Sequence, residues 1–191
     1  MKAIKTQRAI TLALSLFFLN FFLCRALAED IKSKYFNLQI YQVCSLAEFA
    51  RRIDIGQSLN IATHSKETKD FSSLIAQNLD SLYLEICDVL DIHMYTCQGK
   101  INVVPTRGEI AGIVPKETSG RQVPPAIYNP LDNTIYVSFA DFTVEILAHE
   151  ISHAIISNYF ITPPPLKVQE ILASYVEYAI RKKIGTLNVK K

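Results

Sequence analysis

Between Asp141 and Tyr178 the chain places two histidines inside a run of apolar residues, and nothing else in the sequence narrows the fold as much. Val144, Ile146, Leu147, Ala148, Ile151, Ala154, Ile155 and Ile156 are apolar around most of a helical circumference, as in a helix buried on nearly all sides. Asp141 stands where it can cap that helix. His149 and His153 are four apart and share one face. One helical turn separates them by roughly 6 Å along the axis, so a nitrogen from each can reach a common ion. Glu150 sits at the edge of that face, better placed to touch a water than to bind the same ion. Buried imidazoles must be satisfied. Two hydrogen-bonded core histidines would meet that need, but that reading leaves Glu150 without a role.

Ile161-Thr-Pro-Pro-Pro165 stops this helix and redirects the backbone. Apolar residues at 168, 171, 172, 175, 176, 179 and 180 then read as a second buried helix. Glu170 lies in its first turns, where a return across the metal could present a carboxylate. Glu177 shares that face but lies roughly 10 Å further along the axis, which makes it the weaker ligand candidate. Ser174, four residues after Glu170, could support a ligand from behind.

His149-Glu-Ile-Ser-His153, a proline spacer and Glu170-Ile-Leu-Ala-Ser-Tyr175 together resemble the gluzincin metallopeptidases. The likeness is to their small peptidase MA-like members and, more distantly, to the M1 aminopeptidase catalytic domain. Ile171 stands where that pattern usually has glycine, and no Gly-x-Met-Glu-Asn segment is present. The resemblance implies one zinc ion held by His149, His153 and Glu170, with Glu150 as general base. It also implies that Thr134 to Phe139 forms the rim of a cleft and pairs with extended substrate.

The first 28 residues read as a signal peptide. Lys2, Lys5 and Arg8 give a basic start, Ile10 to Cys24 is nearly all apolar, and Ala26-Leu-Ala28 is a small-residue cleavage pattern. The other reading is an uncleaved membrane anchor, for which the apolar run is short. Cleavage leaves residues 29–191 as one zincin-like domain with no stable membrane anchor, exported to a periplasmic or extracellular space. The removed cations (Lys2, Lys5, Arg8, Arg25) carry the basic excess, so the formal net charge of +2 becomes −2. Nothing then points to nucleic acid or an anionic membrane surface as partner. Export favours disulfides. Cys87 and Cys97, flanking the end of a helix and the approach to a strand, make the expected pair and leave Cys44 free. Pairing of Cys44 with either remains open.

The remaining pattern predicts an α+β domain: a small mixed sheet packed with the active-site helix and the helix that follows it. Strands are expected over Tyr35 to Tyr41 and Ile101 to Pro105, with a hairpin from Ala126–Tyr128 and Thr134–Ser138. Helices are expected from Ser45 to about Ile53, Thr68 to Leu90 and Arg107 to Val114. His64 and His93 read as loop residues. These features predict a zinc-dependent hydrolase of peptide or protein substrates, in which Glu150 takes a proton from water. Tyr175 and Tyr178 are available to steady the oxyanion, but the pattern assigns that role to neither. A zinc amidase for a cell-wall or other non-protein amide, and a non-catalytic binding or chaperone module, are the rival readings.

Overall fold

The computed structural model describes residues 28–55, 70–94, 96–113 and 122–186. The leader read in residues 1–28 falls outside them except for Ala28, and His64 lies outside them too. Five strands form one mixed sheet: β1 (Ala28–Lys32), β2 (Phe36–Tyr41), β3 (Gly99–Val104), β4 (Ala126–Asn129) and β5 (Thr134–Ser138), in the order β1-β2-β3-β5-β4. The centre is parallel (β2 with β3, β3 with β5), and each outer pair is antiparallel. Alternation fixes the faces. Leu38, Ile40, Ile101, Val103, Ile135 and Val137 are buried in the core, while Asn37, Lys100 and Asn102 alternate with them.

Three long helices complete that core. Helix α1 (Leu46–Arg52) is capped by Ser45, as its sequence predicts. In α2 (Phe71–Leu90), Asp70 is the N-cap and Ile75, Leu79, Leu82, Tyr83 and Ile86 are buried. A short α3 (Arg107–Ala111) carries a Thr106–Glu109 capping box. Then come α4 (Val144–Tyr159) and α5 (Leu166–Lys183), which pack closely on each other. The order α+β is therefore observed. β1 was not expected; it is a short edge strand with only Ile31 fully buried, a pattern too weak to stand out in sequence.

Three local expectations are corrected. Thr143, not Asp141, caps α4, accepting from the N–H of Ile146. Asp141 instead receives the guanidinium of Arg107 and the hydroxyl of Ser138, and these bonds hold its carboxyl below the usual range. The stretch Thr134 to Phe139 is not a rim, because β5 lies between β3 and β4; among the described residues the edge on this side belongs to β4. The second helix is not buried as a whole. Only Ala173, Val176 and Ile180 are fully buried in α5, while Val168, Ile171 and Tyr175 face solvent. Gly185 closes α5 in the left-handed region (φ 74), and the Thr186 N–H reaches back to the Arg181 carbonyl. Among the described residues no helix is long and apolar enough to cross a membrane.

Candidate metal centre

Helix α4 brings His149 and His153 to one face, as their spacing requires, and α5 returns across it to deliver Glu170. One ligand atom from each of the three residues makes a compact triangle, all within 4.8 Å of one another. His149 Nε2 and His153 Nε2 are 3.3 Å apart. Glu170 places Oε2 3.5 Å from His149 Nε2 and Oε1 3.5 Å from His153 Nε2. Bonds of about 2.0–2.1 Å at tetrahedral angles put neighbouring ligand atoms about 3.3–3.4 Å apart. The imidazole pair has that separation, and the Glu170 carboxylate faces both rings, one oxygen toward each, which suits a tetrahedral ion. Two neutral imidazoles and one carboxylate also suit zinc chemically. Among the described residues this is the one His/Cys/Asp/Glu group found close enough to hold an ion.

The helix that supplies Glu170 also stands behind both imidazoles. Because α5 runs back along α4, its later residues meet the earlier histidine. Glu177 Oε2 lies 3.4 Å from His149 Nδ1, a buried nitrogen with no well-formed hydrogen bond. The other Glu177 oxygen accepts from Arg181 one turn later. Gln169 Oε1 lies 3.5 Å from His153 Nδ1, and its amide nitrogen donates to the Pro164 carbonyl at 2.8 Å. A carboxylate and an amide oxygen at the Nδ1 atoms favour N–H there, which leaves each Nε2 lone pair toward the triangle. Ser174 is exposed and does not take the supporting role expected of it. Tyr175 and Tyr178 are exposed on α5, at 58% and 52%.

Glu150 faces a different partner. Its Oε2 accepts the backbone N–H of Tyr128 at 2.7 Å. Tyr128 lies on β4, and the ladder explains why that N–H is available. The Ser138 N–H donates to Pro125, so residues 125, 127 and 129 turn toward β5 and Tyr128 turns out. Burial pushes the Glu150 carboxyl up to about 7, against the pull of His149 and the Tyr128 N–H, with Glu170 adding to the rise. Burial likewise holds His153 below the usual imidazole value, opposed by Glu170.

These groups open on a cleft of about 670 Å³. Its walls are the β4 edge at Ala126 to Tyr128 and the apolar Pro163 and Leu166, with His149, Glu150, His153 and Glu170 between. One turn beyond His153, the Tyr128 hydroxyl and the Asn158 amide both donate to Asn133 Oδ1. Sequence reasoning missed Tyr128, Gln169 and this asparagine pair. Tyr128 acts through its backbone, which no side-chain pattern reveals. His93 is an exposed loop residue 3.6 Å from Asp91. Cys44, Cys87 and Cys97 are buried thiols, and both Cys87 and Cys97 interact with the Tyr83 hydroxyl. Comparison of the chain with protein-family models, curated proteins and solved structures finds no match.

Proposed function

We propose that this chain is an exported zinc-dependent metallopeptidase with a zincin-like fold of the gluzincin kind. The observation that carries the reading is the convergence of His149 Nε2, His153 Nε2 and the Glu170 carboxylate, with one ligand atom from each within 4.8 Å of the others. A zinc ion held there supplies Lewis-acid polarisation of a peptide carbonyl and of an attacking water. Glu150 lines the same cleft with one oxygen anchored by the Tyr128 N–H, which leaves Oε1 to accept the water's proton. The same carboxyl then returns the proton to the leaving amine. Glu177 and Gln169 hold the two rings in orientation.

The β4 edge along the cleft, open apart from the Tyr128 N–H that Glu150 holds, supports an extended peptide or protein chain as substrate rather than a compact non-protein amide. A carboxylate set at the cleft beside the ligand triad supports hydrolysis over passive binding. The basic, apolar and small-residue pattern of residues 1–28 supports export.

Metal analysis after dialysis, paired with cleavage of a peptide library, tests the reading. Wild type should hold one zinc per chain. Glu150→Gln should keep zinc and lose about 10²–10⁴-fold in hydrolysis, since the amide keeps the shape but cannot take a proton. Glu170→Ala should lose zinc on dialysis. Full activity in Glu150→Gln, or full zinc retention in Glu170→Ala, would overturn the assignment.

A further inference from the structure

The outer face of α5 carries an apolar seam that the rest of the described chain does not cover. Val168, Ile171, Tyr175 and Tyr178 are 42%, 61%, 58% and 52% exposed. They follow one another at spacings of three, four and three. A helix buried in its own domain shows a broad apolar stripe, whereas strict alternation of three and four marks a narrow seam that meets another helix. The opposite face, Ala173, Val176 and Ile180, already serves the domain. The seam is therefore a second, separate apolar surface on the same helix.

We infer that this seam is a two-fold interface on which a second copy of the chain docks, its α5 antiparallel to the first. Three observations favour that occupant. The seam is self-complementary only in that direction: about a point between Ile171 and Tyr175, Ile171 faces the second copy's Tyr175 and Val168 its Tyr178. Branched aliphatics then pack against aromatics, where a parallel pair would set Tyr on Tyr. Antiparallel packing also keeps the two basic ends, Arg181 to Lys183, apart. Finally, a large aromatic side chain covers about 150–250 Å² when buried, so the four exposed fractions, two of them on smaller aliphatics, come to about 300–500 Å² per copy. Two copies then bury about 600–1,000 Å², the size of a weak, concentration-dependent pairing. An anionic lipid surface is the poorer occupant, because two of the four cations on α5 are already held, Arg181 by Glu177 and Lys183 by Glu85, which leaves Lys167 and Lys182.

Light scattering on the full chain after size exclusion, at micromolar and tens-of-micromolar concentration, tests this. Wild type should run at twice the chain mass at the higher concentration. Ile171→Glu with Tyr175→Glu should run at the single mass with unchanged helical circular dichroism, since both positions are exposed. Leu131→Glu, at an equally exposed site elsewhere (94%), should stay dimeric. In a separate arm, Ile171→Cys with Tyr175→Cys should give a covalent dimer under oxidised glutathione. A wild type that is monomeric at both concentrations overturns the inference, whether or not it sediments with phosphatidylcholine–phosphatidylglycerol vesicles. A dimer left intact by the double glutamate variant overturns it too.

Discussion

Three glutamates meet the two histidines, and their roles separate by which atom each one touches. Glu170 reaches both Nε2 atoms, Glu150 reaches a backbone N–H on β4, and Glu177 reaches His149 from behind. From sequence alone Glu177 is only the weaker ligand candidate. Its distance was counted along α5 from Glu170, and that count cannot show that α5 returns along α4. Glu177→Ala should now weaken zinc binding by about 10–100-fold, the usual cost of losing a partner behind a ligating histidine. Competition with a chelator measures it; an unchanged zinc affinity would mean that the 3.4 Å approach to Nδ1 orients nothing. The metal-free protein should also show the burial of Glu150. Its carboxyl is pushed up to about 7 in the folded chain against an ordinary value of 4.5. The folded state thus keeps a proton that the unfolded chain has released, so this group's contribution to stability is lost as pH rises from about 4.5 to about 7. His153, held low, acts in the opposite sense and costs stability as pH falls through its ordinary value of 6.5. Thermal melts of chelator-treated protein should show Glu150→Gln gaining on wild type as pH climbs from 5 to 7.5. Parallel curves across that range would sink the assignment.

The elements were legible wherever periodicity carried them. Ser45, the α2 stripe, the hairpin of β4 and β5 and the paired histidines all stand where the sequence puts them. What sequence could not give is which neighbour each element takes. The strand before the metal helix was expected to be the rim, yet β5 is paired on both sides and β4 carries the free edge. Likewise α5 is apolar on two faces, and a linear pattern does not say which of them the domain uses. The corrected edge yields a sharp prediction. The Tyr128 N–H points away from the ladder, so Tyr128→Pro removes it without breaking a strand bond, a substitution that edge strands tolerate. It should leave the fold and zinc content intact and lower kcat by about 10–100-fold, the scale of a hydrogen bond to a charged group. Tyr128→Phe keeps the N–H and loses only the hydroxyl's bond to Asn133, so it is the control. Equal kcat in the two variants would show that β4 does not hold the general base.

At the scale of the whole molecule, α2 and the sheet are joined by a turn that Cys87 and Cys97 bracket. Helix α2 ends at Leu90 and is capped by Asp91 in the left-handed region at φ 54, and β3 begins at Gly99. Between them the Tyr83 hydroxyl donates to the Met94 carbonyl at 2.7 Å and interacts with both thiols. Tyr35 stacks on the Tyr83 ring at 4.1 Å. Burial raises both thiols above their ordinary value, which disfavours the thiolate that disulfide exchange requires. If the two thiols pair, the bond is expected to form during folding, before the core closes over the turn. Cys44 is buried elsewhere and pushed up to about 11 by burial and by Glu109. We expect chain folded under oxidising conditions to carry the Cys87–Cys97 bond, with one slow thiol at Cys44. A loop this short should add about 2–3 kcal/mol, and a domain of this size should then melt roughly 5–10 °C higher than its reduced form. Peptide mapping without reduction, alongside melts with and without reductant, decides it. Cys44 in disulfide linkage within the monomer would refute the pairing, and equal melting temperatures would show that the turn needs no staple.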